Sequence, residues 1–160
     1  MMGTTTIRQA VENDIPHLIA LGEIQYNLFH KPGQPPYNIE MAHRYTEAMM
    51  YSQTSVVLII EDHTRIPFGY ISGGIDYLYM TGFPEAVSHN WFVHNPNQQY
   101  GKNNYGLELL KAFEKWAEHH GCKTVRISMS MMPKQKRVFD RVFKKLNYEP
   151  TVVLYTKEME

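Results

Sequence analysis

The chain has 160 residues, a formal net charge of zero and 43% hydrophobic residues. That suffices for one domain over 1–160 with a buried core, excludes a disordered chain, and offers no overall charge to attract nucleic acid or an anionic membrane. No apolar run nears the roughly 20 residues of a bilayer span, the start MMGTTTIRQ lacks a signal peptide's apolar core, and lone Cys122 allows no internal disulfide, so the cytoplasm is the expected home.

Thr4 to Gln9 alternates as a first strand with Ile7 inward. Asn13 or Asp14 can cap a helix whose first turn suits Pro16 and whose inner face is Ile15, Leu18, Ile19, Ile24 and Leu28. His30 to Asn38 holds three prolines and a glycine and is a loop. Asn38 then caps a second helix from Ile39 to about Met50. Ser55 to Glu61, β-branched and apolar, predicts a central strand with both faces covered. Ile66 to Ile75 is its hairpin partner, extending as far as Tyr79 before Thr81-Gly82-Phe83-Pro84 breaks it.

Trp91 to His94 is the next strand. A polar turn rich in Gly and Asn follows, then a helix with Leu109, Leu110, Phe113, Trp116 and Ala117 on one face and Gly121 at its end. A strand that feeds a helix through such a turn aims backbone N–H groups at one spot, at the positive end of the helix dipole, which suits phosphate. Lys123 to Met129 alternates as a strand. Lys134 to Leu146 is a helix with Val138, Val142 and Leu146 inward, joined by Phe139 and Phe143, and Thr151 to Lys157 is a last strand. The order β α α β β β α β α β argues for a mixed sheet with helices on both faces.

Four stretches, IRQAVENDIPHLIAL, IPFGYISGGI, WFVHNP with GLELLKAFEKWAEHHGCKTVRISM, and RVFDRVFKKLNYEP, resemble in order and spacing the GNAT acyltransferase superfamily over essentially the whole chain. The lengthened turn and the helix wording are similar to phage-encoded acetyltransferase-like proteins. The resemblance implies an α/β fold: a mixed, mostly antiparallel sheet with a splayed parallel strand pair and helices on both faces. It implies acetyl-CoA as cosubstrate, its pantetheine along Phe92, Val93 and His94, and its diphosphate on Gly101, Lys102, Asn103, Asn104, Tyr105 and Gly106. It implies transfer of the acetyl group to an amine of a small molecule or protein by direct attack in a ternary complex.

Two places depart from the family pattern. The turn Q/R-x-x-G-x-G/A fits from the helix side with Gly106 last, Asn104 for the first glycine and Gly101 where Arg or Gln belongs. From the other side Gln98-x-x-Gly101 fits and Asn103 stands last. Asn103 and Asn104 can take left-handed backbone and keep the turn's shape, whereas Tyr105 adds bulk beside a diphosphate. In the last helix Phe143 stands where many members place the tyrosine that protonates the leaving thiolate. With a thiol pKa of about 8.5, water can serve instead. These departures favour an alternative, a GNAT-fold interaction protein without chemistry, such as a viral one acting in the host cytoplasm.

For the proton of the acceptor ammonium, Glu85, His89 and His94 lie near the strand, and His89 is the first choice because imidazole titrates near neutrality. Tyr37, Tyr45 and Tyr51 fall where the family builds its acceptor pocket. The basic residues of the last helix, Lys134 to Lys145, form a solvated face or a rim for the 3′-phosphate of CoA; a nucleic-acid role fits them least. The eight histidines lack metal-binding spacing, so no metal is expected. Exposed edge strands suit a homodimer.

Overall fold

The run SVVLIIE folds as the central strand that its composition demands. In the structure, a computed structural model describing residues 4–96, 103–128, 136–152, 155, 157 and 159, β2 spans Ser55–Glu61. Around it lie β1 (Thr6–Gln9), β3 (Pro67–Tyr77), β4 (Pro84–Val93) and β5 (Thr124–Ile127), in the spatial order β1-β2-β3-β4-β5. The first three pairings are antiparallel and β4 pairs with β5 in parallel. Helices α1 (Ile15–Phe29), α2 (Ile39–Tyr51), α3 (Tyr105–His119) and α4 (Lys136–Lys145) complete the described elements. The chain forms two units, Met1–Met129 and Ser130–Glu160.

Alternation along the strands sorts the core of the first unit into two layers. Val57, Ile59 and Tyr70 cluster with Leu18 and Leu21 of α1 and Met49 of α2. On the other side Gly73 lies under the ring of Phe113 of α3, which is fully buried beside Leu109 and Leu110. Helix α3 ends as its sequence predicts: Gly121 has φ +77, its N–H donates to Glu118, and the Cys122 N–H donates to Ala117.

Several expectations need correction. β4 begins at Pro84, seven residues before the predicted Trp91. Neither Asn13 nor Asp14 caps α1 with its side chain. The Asp14 carboxylate turns back instead, accepting the Val11 N–H at 2.8 Å and two hydrogen bonds from Arg8 at 2.7 and 3.0 Å. Arg8 also donates to Glu61, at 3.0 and 2.7 Å, so one guanidinium on β1 joins the start of α1 to the end of β2. Asn38 does cap α2, accepting from Met41 N–H at 3.0 Å.

In the second unit, Phe139, Val142, Phe143 and Leu146 are half-buried, but Val138 is 61% exposed and not inward as expected. The four half-buried residues already make an i, i+3, i+4, i+7 stripe, and Val138 stands about 100° away from Phe139 around the helix. Within this unit the rings of Phe139 and Phe143 stack at 6.3 Å and the Phe143 and Tyr148 rings meet edge-on at 5.4 Å. The last strand expected over 151–157 falls partly on positions outside the described residues.

Candidate active site

The parallel ladder between β4 and β5 is short. It runs from Glu85 opposite Thr124 to Ser88 opposite Ile127 and stops. β4 goes on to Val93, still paired with β3. Just after the last ladder pair, the Ser128 N–H donates to the Ser88 hydroxyl at 3.3 Å, a side chain standing in for the next ladder partner. Ser88 is fully buried, as that role requires.

The ladder stops beside a β-bulge. Ser72 pairs with Asn90 and Gly73 with Ser88, so His89 is the extra residue on β4. A bulge of this kind bends its strand and increases the local twist. Beyond it the alternation of an antiparallel pair decides where the backbone groups point. The His94 N–H donates to Phe68 at 2.8 Å, which makes Phe92 and His94 the residues bonded to β3. The N–H and C=O of Val93, and those of Trp91, therefore point away from β3, beyond the last pair of the β4–β5 ladder. Of the three residues expected to meet a pantetheine arm, Val93 offers its backbone. Phe92 packs instead against the α1–α2 core, with the His94 ring stacked on it at 6.2 Å.

Helix α3 starts beside this end of β4, held there by two aromatic side chains. The Trp91 indole N–H donates to the Gly106 carbonyl at 3.1 Å. Tyr105 is buried and its ring meets Phe68 of β3 edge-on at 5.2 Å. Tyr105 thus serves as packing between helix and sheet, which removes its bulk from the space ahead of the helix. Asn104 is the N-cap, its side chain accepting from Leu107 N–H at 3.2 Å with φ −89. The expected left-handed backbone at Asn103 and Asn104 is absent: among the described non-glycine residues only Arg65 and Asn147 have positive φ. Capping explains it, because an N-cap side chain works from negative φ. Asn103 donates weakly to the Tyr105 hydroxyl at 3.4 Å. Gly101 and Lys102 lie outside the described residues.

The acceptor-side candidates separate clearly. Glu85 is buried and tied to Arg126 of the neighbouring strand at 3.0 Å, so its charge is already matched. His89 is exposed, and its Nδ1 lies 2.9 Å from the Tyr45 hydroxyl of α2. Burial pushes the Tyr45 phenol above its ordinary pKa, so it stays protonated near neutrality. Tyr37 packs on α1, donating to the Ile19 carbonyl at 3.1 Å, and Gly22 leaves the room for it, since a Cβ there would lie 2.7 Å from the Tyr37 oxygen. Tyr51 is 69% exposed. Sequence reading missed Trp91 as the tether and Ser88 as the end of the ladder; both follow from register alone, which no local pattern carries.

Ser72, opposite Asn90 at the bulge, is buried with its hydroxyl lacking a hydrogen-bond partner among the described residues. Replacing it removes no bond and relieves an unsatisfied polar group. Ser72→Ala is therefore expected to be neutral or up to about 1 kcal/mol more stable in urea denaturation.

Among the described residues no three His, Cys, Asp or Glu side chains are placed to hold a metal ion, and no helix is long and apolar enough to cross a membrane.

No protein-family model matches the sequence, and neither does any curated protein. Solved structures do match in three dimensions. An aminoglycoside N-acetyltransferase, AAC(6')-Iy, in complex with CoA superposes with a TM-score of 0.70 at 21% identity, over 98% of this chain and 97% of that one. A GNAT family acetyltransferase of Staphylococcus aureus gives 0.69 at 14% identity, over 98% and 99%.

This is the GNAT fold.

A transcriptional regulator of Bacillus halodurans has it too, with a TM-score of 0.74 at 15% identity over 98% and 100% of the two chains. In this chain the parallel pair of the fold is β4 with β5, and the bulge at His89 follows the last pair of their ladder. A single parallel pair in a mostly antiparallel sheet is what the sequence resemblance implies.

Proposed function

We propose that the protein is an acetyl-CoA-dependent N-acetyltransferase. The observation that carries this reading is the β4–β5 ladder that ends at Ser88 and Ile127 while β4 continues, with the Val93 N–H and C=O turned away from β3 and Trp91 tied to the first turn of α3. An extended amide-bearing chain can add to that edge as a strand would, and a diphosphate can take the amides and the positive dipole at the helix start. The fold's presence in a CoA-bound acetyltransferase supports the same reading, and the match of both units within that coverage supports one acyltransferase domain over 1–160.

In this mechanism the acceptor ammonium gives a proton to His89, because only the neutral amine has a lone pair to donate. The amine nitrogen forms a bond to the thioester carbonyl carbon, and the C–S bond breaks. The departing CoA thiolate takes the proton that the new amide nitrogen sheds, so Phe143 in place of a tyrosine does not block the reaction. Most of the acceleration comes from holding the two substrates together.

Asn104 supplies a test that separates binding from folding. Asp caps a helix as well as Asn does and suits the dipole better, but it adds a negative charge where a diphosphate would lie. Asn104→Asp should keep or raise the melting temperature and weaken acetyl-CoA binding about tenfold, roughly 1.4 kcal/mol. The wild type should gain several degrees with millimolar acetyl-CoA. No shift for wild type would end the reading.

The second reading, an interaction protein on a GNAT fold, draws on Phe143 and on the regulator that shares the fold. It predicts no thiol release from acetyl-CoA with any amine, even where the cofactor stabilises the protein.

A further inference from the structure

We propose that Tyr45 is a positioning residue that holds His89 in one tautomer, with the proton on Nδ1 donated to the Tyr45 oxygen and Nε2 left as the atom that accepts a proton. The use made of Nε2 rests on the acetyl-transfer reading; the hydrogen bond itself does not.

The argument begins with the backbone. His89 is the inserted residue of the bulge, so no residue of β3 stands directly opposite it to brace its side chain. Its ring is fixed instead from another element, by the 2.9 Å contact with Tyr45. Tyr45 is well placed to do this. It sits in the middle of α2, one turn before Met49, which is buried in the core with Val57, Ile59 and Tyr70. The helix is therefore anchored and its tyrosine presents the hydroxyl at a set height above the sheet.

Stability does not account for this contact. Tyr45 is 44% exposed and His89 is exposed, and a neutral hydrogen bond between two wet side chains adds little to folding. What the contact does define is the protonation pattern of the ring. A neutral imidazole has one N–H donor and one acceptor nitrogen. If Tyr45 donated to Nδ1, Nε2 would carry the proton and the ring would have no lone pair to offer an ammonium. With Nδ1–H as the donor, Nε2 keeps its lone pair. When Nε2 takes a proton, the bond to Tyr45 is retained and becomes charge-assisted.

Among the described residues, no charged side chain stands at the positions flanking the bulge. The positions flanking the bulge are Ser72 and Gly73 on β3 and Ser88 and Asn90 on β4, and β5 ends opposite with Ile127 and Ser128. From α2 the group facing the ring is Tyr45, whose raised pKa keeps it neutral. A neutral phenol orients the imidazole without the added basicity that a carboxylate partner would bring. The acceptor's amine would approach the exposed edge of the ring between α2 and β4.

The test uses the full chain with 15N-labelled histidine, wild type and Tyr45→Phe, and needs no substrate for its first half. Ring nitrogen shifts measured in alkaline solution, with the imidazole neutral, should show Nδ1 protonated in the wild type and the proton moved mainly to Nε2 in the variant. In the second half, thiol release from acetyl-CoA is followed over a panel of an aminoglycoside, a polyamine and a lysine-containing peptide. With an amine that the wild type acetylates, Tyr45→Phe should lower kcat about tenfold, leave KM for acetyl-CoA unchanged and leave the melting temperature unchanged. A wild-type ring protonated on Nε2 overturns the proposal, and so does a variant with unaltered kcat. If the wild type releases no thiol with any amine, the acetyl-transfer reading fails by itself, and the nitrogen shifts still decide whether Tyr45 sets the tautomer.

Discussion

Gly73→Ala is expected to destabilise the protein by about 3 kcal/mol, read as a fall in the urea midpoint, and Gly73→Val to leave no cooperative transition. A Cβ at position 73 would lie 2.3 Å from the Val87 carbonyl oxygen and 2.7 and 2.8 Å from two atoms of the Phe113 ring. The carbonyl belongs to the β3–β4 ladder and cannot rotate away. The ring is fully buried, so α3 would have to lift off the sheet. Damage should not stop at stability. Gly73 pairs with Ser88, the residue that ends the β4–β5 ladder, and a displaced Ser88 loses its bond to Ser128. Any Gly73→Ala protein that remains folded should show the weaker response to acetyl-CoA in a melting experiment. A variant as stable as the wild type would mean that α3 does not rest on this glycine.

Arg8→Ala should cost about 3 kcal/mol at pH 7, and the loss should shrink as the solution is acidified. Arg8 is the cation for two carboxylates, Asp14 and Glu61, both buried. Taking it away leaves two negative charges with little water around them. For Asp14, burial pushes the carboxyl up, and the Arg8 guanidinium and the Val11 amide more than offset that, so its pKa lies below the ordinary range. A depressed carboxylate pKa stabilises the fold fully above the unfolded value, near 4, and the contribution disappears as pH falls through the folded value. The wild type therefore loses stability in acid. In Arg8→Ala the same groups are held uncompensated, and protonation relieves them. The two denaturation curves should approach each other between pH 7 and pH 3. Parallel curves over that span would show that the carboxylates are not the origin of the difference.

How far the sequence could be read depends on where its patterns are local. The boundaries of β2 and α2, the Asn38 cap and the Gly121 terminus were legible because an apolar run, a capping side chain and a left-handed glycine each act over a few residues. The first half of β4 was not, for two physical reasons. Its polar residues are satisfied by distant partners, Glu85 by Arg126 and Ser88 by the Ser128 amide, so they do not look like a strand's inner face. Its alternation also breaks at His89, which makes two short phases look like none. At the candidate site, Val93 was readable as strand, but Asn104 read as a turn residue and is the N-cap of α3. Tyr105 looked like an obstruction to phosphate and is packing against Phe68; nothing within a few residues of it in the sequence signals that contact. The pairing of Tyr45 with His89 joins residues 44 apart and depends on how α2 lies across the sheet.

The single additional residue in β4 has a consequence for any change in chain length. Before position 89 the side chains directed toward α3 carry even numbers, as at Ser88 opposite Gly73; after it they carry odd numbers, as at Trp91 opposite Ile71 and Val93 opposite Gly69. Parity is thus reset in mid-strand. Excising His89 would leave Ser88 and Asn90 consecutive and still opposite Gly73 and Ser72, so the ladder would run regular, the Trp91 indole would stay on the Gly106 carbonyl, and what is lost is the bulge and its contact with Tyr45. The residue that breaks the strand's pattern is thus the one whose removal restores it, whereas losing a paired residue downstream would turn the rest of the strand over.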